Sequence, residues 1–241
     1  MRYKLNPFYS KKESFLLNID TIFNDSDNSI HKARNEIKII DDFVVKSFKI
    51  PHIINQIAYS FFRPSKAKRA YENGLKIEGF TPRPLGYCEF YSFGLLKKSY
   101  LISENFKYDF TIRDVLDDKG FENREKIFKE FAKFTYKLHQ AGILHKDYSP
   151  GNILIKKYKD SYIFQIVDIN RMIFTDISTK MALKNFSRIF ATKDDLKTII
   201  YQYAKFANLD PKNSFKIALI SNQKHKNKVL KKWARKKMTL K

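Results

Sequence analysis

The sequence predicts an α+β chain of two lobes, a small strand-rich one carrying one helix and then a mostly helical one. Three observations predict it. Short runs of β-branched and aromatic residues bounded by turn signals fill much of the first hundred positions. Stretches with apolar residues three and four apart fill most of the rest. At 241 residues, with 43% hydrophobic content, the chain is long enough to bury a core in each half. The boundary falls near Asn105, giving residues 1–104 and 105–241.

Residues 15 to 50 read as strands. Within them "EIKII" and "FVVKSFKI" are β-rich runs joined by an Asp41-Asp42 turn. Pro64 opens a helical pattern, "SKAKRAYENGLKI", with Ala67, Ala70, Tyr71 and Leu75 at helical spacing. "TPRPLGY" is a Pro-punctuated loop, and "FYSFGLL" and "KKSYLISENF" read as two further strands. In "TIRDVLDD", Thr111 and Asp114 have capping-box spacing. "NREKIFKEFAKFTYKLHQAGI" is the clearest helix, with Ile127, Phe131, Phe134 and Leu138 on one face and Gly142 as its stop. "GILHKDYSPGNILI", a hairpin and "YIFQIVDINRM" follow, and two or three helices complete the chain.

Composition narrows the function classes. The single Cys88 excludes an internal disulfide and a Cys-rich metal site. The start, "MRYKLNPFYSKKESF", lacks the apolar core of a signal peptide, and no apolar run is long enough to span a bilayer. A cytoplasmic protein is expected. A net charge of +22 favours an anionic partner, yet 37 lysines against 10 arginines also fit AT-rich codon usage. The tail "SNQKHKNKVLKKWARKKMTLK" carries nine Lys or Arg, one Trp and no acid, which suits contact with an anionic membrane or a solvated terminus. No nucleic-acid reading module is present, and the histidines have no zinc spacing.

"HKDYSPGN" sets Asp147 five residues before Asn152, with Pro150-Gly151 between them. Asp168 follows the apolar run "YIFQIV". A hairpin of two buried strands would bring Asn152 and Asp168 to one edge, beside the loop bearing Asp147. Phosphoryl transfer from ATP needs such a set. One carboxylate accepts the proton of the attacking hydroxyl, while a carboxylate and a carboxamide supply oxygen ligands to Mg²⁺. Upstream, Lys46 alternates with apolar neighbours in "FVVKSF", and Glu72 lies mid-helix as its natural partner. Singly, each of these also suits a bland role: Asp147 and Asn152 as turn caps, Lys46 and Glu72 as solvent-facing positions. The order Lys, Glu, Asp, Asn, Asp is what carries the chemistry.

Over residues 28 to 205 these ordered motifs resemble the protein-kinase-like superfamily, and most closely the bacterial lipopolysaccharide core kinase family, the Kdo and heptose kinases. The resemblance implies a bilobal protein-kinase-like fold with ATP in its cleft. Main-chain groups around Ser103, Glu104 and Asn105 would meet the adenine. Asp147 would be the base, Asn152 and Asp168 the Mg²⁺ ligands, and Lys46 with Glu72 the phosphate-positioning pair. The chain departs from the superfamily pattern in places. No glycine-rich loop precedes Lys46, and the equivalent turn, "IHKARNE", offers Lys32 and Arg34, which contact phosphate or are simply solvated. Ser149 stands where Ser/Thr protein kinases usually carry lysine, and Asn170 where the lipopolysaccharide kinases carry a second Asp. The expected acceptor is a sugar of a lipopolysaccharide precursor, with the enzyme peripheral on the inner membrane. The alternatives are a small-molecule kinase similar to the aminoglycoside phosphotransferases, and a non-catalytic kinase fold used for binding.

Overall fold

The computed structural model describes residues 1–32, 35–49 and 52–238, without the side chains of Lys32, Trp233 and residues 236–238. The chain divides into two compact units, Met1–Lys107 and Tyr108–Lys241.

The first unit is built on strands β1 (Arg2–Leu5), β2 (Ser29–Lys32), β3 (Asn35–Ile40), β4 (Phe43–Phe48), β5 (Pro84–Ser92) and β6 (Leu95–Glu104). They form one antiparallel sheet in the order β1-β5-β6-β4-β3-β2. Helices α1 (Glu13–Leu17) and α2 (Ile19–Asp25) pack on one face, and α3 (Ile53–Ile57) and α4 (Lys66–Lys76) complete the unit. Alternation along the strands sorts the two faces. Val45, Tyr100 and Ile102 join Leu16, Ile19 and Phe23 in one core. Phe48, Tyr87 and Leu101 pack with Ala67 and Tyr71 of α4 on the other.

Several sequence expectations are corrected here: the first unit carries the helices α1 to α4 rather than one, and residues 84–87, read as loop, open β5. Residues 13–25 are helical rather than extended. Leu16, Ile19 and Phe23 recur at helical spacing, and burying each is worth roughly 1.5–3 kcal/mol, which outweighs the β-like composition of the run. The predicted strand "FYSFGLL" straddles a hairpin: Ser92 pairs with Leu95, so Phe93 and Gly94 form the turn. The helix after Pro64 forms as read, although Leu75 is exposed and Gly74 takes a buried position.

The second unit begins with β7 (Phe110–Thr111), α5 (Ile112–Asp117) and α6 (Arg124–Gln140). The Thr111–Asp114 capping box is present at the start of α5. Ile127, Phe131 and Leu138 of α6 are fully buried, and Gly142 ends the helix at φ 70°. Next come β8 (Ile143–His145), β9 (Ile153–Tyr158), β10 (Ser161–Ile166) and β11 (Met172–Phe174). The order β10-β9-β7 makes one small sheet, and β8 pairs with β11 in another. Helices α7 (Thr179–Asn185), α8 (Lys193–Phe206) and α9 (Pro211–Met238) follow. Residues 221–238 of the basic tail lie within α9.

Candidate active site

Asp147 lies two residues past the end of β8, and its main chain is held at both ends. Its N–H donates to His145 Nδ1 at 3.0 Å. Its carbonyl accepts from Ser149 N–H at 2.7 Å and from Asn152 Nδ2 at 2.9 Å. With the backbone fixed, so is the direction in which the carboxylate projects. The turn of Pro150–Asn152 is 3₁₀-helical, and Gly151 is not at positive φ. A Cβ there would come within 2.9 Å of Arg113 Nη2, the end of an exposed side chain that can move aside, so neither φ nor packing demands glycine at this position.

Asn152 leads into β9. Its carbonyl accepts from Val167 N–H at 2.9 Å, which extends the β9–β10 ladder by one step. Asp168 comes next, at φ 58°, a left-handed conformation that Asp tolerates better than most residues. Asp147, Asn152 and Asp168 are thereby gathered at one end of the hairpin. Asn170 Nδ2 donates to Asp168 Oδ1 at 2.9 Å, and Asn170 Oδ1 is buried without a hydrogen-bond partner. Such an orphaned oxygen beside a carboxylate is costly unless something occupies it. Asn152 commits its amide nitrogen to Asp147, which leaves its oxygen for another partner. These are hard oxygen donors, and they fit Mg²⁺. Among the described residues no cluster of three or more His, Cys, Asp or Glu occurs. A cation that completes its shell with phosphate oxygens and water needs none.

Behind the loop runs a buried polar thread. The Asp147 amide can only donate, so His145 Nδ1 accepts and its Nε2–H donates to the Val167 carbonyl at 3.1 Å. Asn185 Nδ2 donates to the His145 carbonyl at 3.0 Å. That turns Asn185 Oδ1 toward His139, whose Nε2–H donates to it at 3.1 Å, while His139 Nδ1 accepts from Tyr203 OH at 3.0 Å. Burial lowers the pKa of both imidazoles, that of His139 to about 4. Both rings are therefore neutral braces. Tyr148, fully buried, stacks on Phe131 and shares a hydrogen with Thr135 at 2.8 Å.

Two guanidinium groups face the Asp147 carboxylate. Arg171 Nη1 donates to it at 3.1 and 3.3 Å, and Arg188 lies 3.7 Å away. The antiparallel pairing of His145 with Met172 places Arg171 there, assisted by the bond from Lys146 N–H to the Arg171 carbonyl at 2.8 Å. Arg188 comes from the 3₁₀ turn Phe186–Ile189 after α7. Sequence reading assigned neither arginine a role. Arg171 was visible within "DINRM", but nothing local marks Arg188, Asn185 or His139.

In the first unit, Lys46 on β4 pairs in register with Leu101 and so projects to the sheet face that α4 covers. Its ammonium lies 5.4 Å from the Phe48 ring centroid. Glu72 sits mid-way along α4, 4.0 Å from Lys68. Ser103 and Glu104 end β6, and Asn105 follows. The Glu104 N–H donates to the Arg83 carbonyl at 2.9 Å and the Asn105 N–H to Asp42 at 3.0 Å, so both donors are engaged within the unit. The Glu104 carboxylate accepts from Tyr9 OH. Arg34 and the side chain of Lys32 lie outside the described residues.

The model of the lipopolysaccharide kinase (Kdo/WaaP) family matches residues 67–209, more than half of the chain and the whole of the loop and hairpin above. The chain belongs to this family. It is a phosphotransferase, and membership implies use of ATP. Among solved structures, "WaaP in complex with acyl carrier protein" aligns over 94% of this kinase and 99% of that chain, with a TM-score of 0.56 and 15% identity. That likeness supports the protein-kinase-like fold. The Rio2 kinase of Chaetomium thermophilum aligns over 87% of this chain and 67% of its own, at TM-score 0.49 and 14% identity. The bifunctional kinase-methyltransferase WbdD aligns over 94% and 46%, at TM-score 0.48 and 17% identity. No curated protein matches the chain.

Proposed function

We propose that this kinase transfers the γ-phosphate of ATP to a hydroxyl of an acidic sugar, Kdo, in the inner core of a lipopolysaccharide precursor at the cytoplasmic face of the inner membrane. The observation that carries the choice of an acidic sugar is the pair Arg171 and Arg188 beside Asp147. Guanidinium groups beside the base would stabilise a transferring phosphoryl group with any acceptor, and an acidic sugar would gain a further interaction from them. A sugar whose reacting hydroxyl lies near a carboxylate would meet them with charge-assisted hydrogen bonds, drawing on the N–H groups that Asp147 does not use.

In this reading Asp147 accepts the proton of the attacking hydroxyl, and its pinned main chain supplies the orientation that such a step needs. Asn152 and Asp168, with Asn170 beside them, would hold Mg²⁺, which supplies charge neutralisation for the phosphates. Residues 1–104 would serve the nucleotide: Lys46 with Glu72 would position the α- and β-phosphates. The adenine would meet carbonyl groups around Ser103, Glu104 and Asn105, since two of the N–H donors there are engaged. Residues 105–241 would carry catalysis, and the basic end of α9 would contact anionic lipid. The WaaP structure holds an acyl carrier protein, and a protein of that kind would be a candidate partner for this chain.

The test is transfer of labelled phosphate from ATP to a Kdo-lipid A precursor, and to the same acceptor with its Kdo carboxylates reduced to alcohols. Asp147→Asn should lower turnover by about 10²- to 10⁴-fold with the fold intact, the scale of a lost general base. Arg188→Met should raise KM for the acidic acceptor about 10- to 100-fold, as expected for one charge-assisted hydrogen bond, and leave KM for the reduced acceptor unchanged. Equal KM changes on the two acceptors would reduce Arg188 to a neighbour of the base.

A further inference from the structure

Residues 53–62 form α3 and a π-helical turn, Ala58–Phe62, and this segment is amphipathic in the inverted sense. Two of its polar side chains, Gln56 and Ser60, hold it to the protein, while Asn55 is exposed. Gln56 is buried and accepts from Lys97 Nζ at 3.2 Å. Ser60 Oγ accepts from Leu96 N–H at 2.9 Å and donates to the Gln56 carbonyl at 2.7 Å. Its apolar side chains face outward: Ile53, Ile57 and Phe61 are exposed, as are Ile54 and Phe62 at 79% and 80%. A helix that meets only water places these two sets the other way round.

The β5–β6 turn adds to the same patch. Phe93 is fully exposed, and its neighbour Gly94 lies against Phe61, with a Cβ there only 4.0 Å from Phe61 Cζ. Both turn residues have positive φ, 50° and 73°, a pattern whose first position ordinarily takes Asn, Asp or Gly. A phenylalanine there bears a backbone cost and gains no burial in return.

The chain flanking the segment is basic. From Phe43 to Tyr71 the sequence has six Lys or Arg and no acidic residue, and Lys49 and Arg63 are exposed beside the segment. We propose that this face of the first unit is a membrane-docking surface, with Ile54, Phe61, Phe62 and Phe93 entering the interfacial layer of an anionic bilayer. The flanking cations meet lipid phosphates. Protruding aromatic and aliphatic side chains flanked by lysine and arginine are what an interfacial helix presents, and a fluid acyl layer needs no matching pocket. The surface is distinct from the basic end of α9 and does not depend on the assignment of the acceptor.

The full chain would be sedimented with phosphatidylethanolamine–phosphatidylglycerol vesicles and with phosphatidylcholine vesicles, at low and high salt. Three proteins would be compared: the wild type, the triple variant Phe61→Ser, Phe62→Ser, Phe93→Asn, and a truncation ending at Leu230. The triple variant should retain its circular dichroism and its transfer to a water-soluble acceptor, since all three rings are exposed. It should lose roughly 10- to 100-fold in partitioning to the anionic vesicles, the scale of one or two Phe side chains withdrawn from lipid. The truncation carries no Trp, so Phe62→Trp within it reports from the patch alone. Its emission should shift to the blue on anionic vesicles and be quenched by brominated acyl chains. Wild-type partitioning by the triple variant would overturn the proposal, as would binding lost entirely on truncation or a Trp that stays in water. Loss of self-association or of acyl carrier protein binding, with vesicle binding untouched, would reassign the face to a protein partner and overturn it equally.

Discussion

His139 and His145 show how single residues tie the stability of the Asp147 loop to pH. Burial lowers the pKa of His139 from 6.5 to about 4, although its hydrogen bond with Asn185 acts in the opposite direction, and burial moves His145 the same way. The unfolded chain takes up a proton near pH 6.5, while the folded chain resists until about 4. Between those values the unfolded state binds more protons, so this stabilisation is complete above pH 6.5 and is lost as the pH falls. For His139 the loss is on the order of 3 kcal/mol. Urea titrations at pH 7 and pH 4.5 should show the fall. His139→Leu should be less stable at pH 7, because Asn185 and Tyr203 lose their partner, but should show a flatter pH dependence. An unchanged slope would remove His139 from the acid response.

At the scale of elements, α6 and α8 are joined at their N-terminal ends by a largely buried ion pair. Arg124 makes two bonds to Asp195, one of them at 2.9 Å, and also donates to the Val115 carbonyl at 2.8 Å. Burial alone would raise the Asp195 pKa, but hydrogen bonds from Arg124 and Thr192 outweigh it and hold the carboxyl below its ordinary value. Asp195→Ala would leave a buried guanidinium uncompensated and should cost about 3–5 kcal/mol in a denaturant titration. The double variant Arg124→Met, Asp195→Leu should recover much of that loss. If the double variant is as unstable as the sum of the singles, the two residues act separately.

At the scale of the molecule, the prediction that joins distant segments is the pairing of Lys46 with Glu72. Lys46 projects to the sheet face covered by α4, the helix that carries Glu72. If they work as one unit in positioning phosphate, Lys46→Met, Glu72→Gln and the double variant should lose similar amounts of activity. Additive losses would separate them. The tail belongs to this scale as well. Asn222 is buried and Lys226 donates to the Ala191 carbonyl at 2.8 Å, so a cut at residue 221 would remove packing along with charge. A chain ending at Leu230 sheds six basic residues instead, and should fold while binding anionic vesicles less tightly at low salt.

The sequence alone determined the order of the candidate site residues and the elements that repeat locally. Lys46, Glu72, Asp147, Asn152 and Asp168 could be picked out because each sits in a short run whose period or turn residues are legible within a few positions. The α6 face, the Thr111–Asp114 cap and the β9–β10 hairpin follow from the same short-range rules. Even α1 and α2 had a readable signal in the spacing of Leu16, Ile19 and Phe23, which their β-like composition obscured. The tertiary structure decided whatever depends on partners far apart in the chain. Lys38 of β3 is buried because its ammonium caps the end of α2, on the Phe23 and Ser26 carbonyls at 2.7 and 2.6 Å. Tyr203, His139 and Asn185 brace the Asp147 loop across separations of 40 to 64 residues, and Arg188 reaches Asp147 from a turn with no motif of its own. The outward apolar face of residues 53–62 belongs with these, since periodicity marks a two-faced helix but not which face meets the protein. Periodicity is set by neighbours within one or two turns, whereas a hydrogen bond, an ion pair or an exposed face is set by what packing brings alongside.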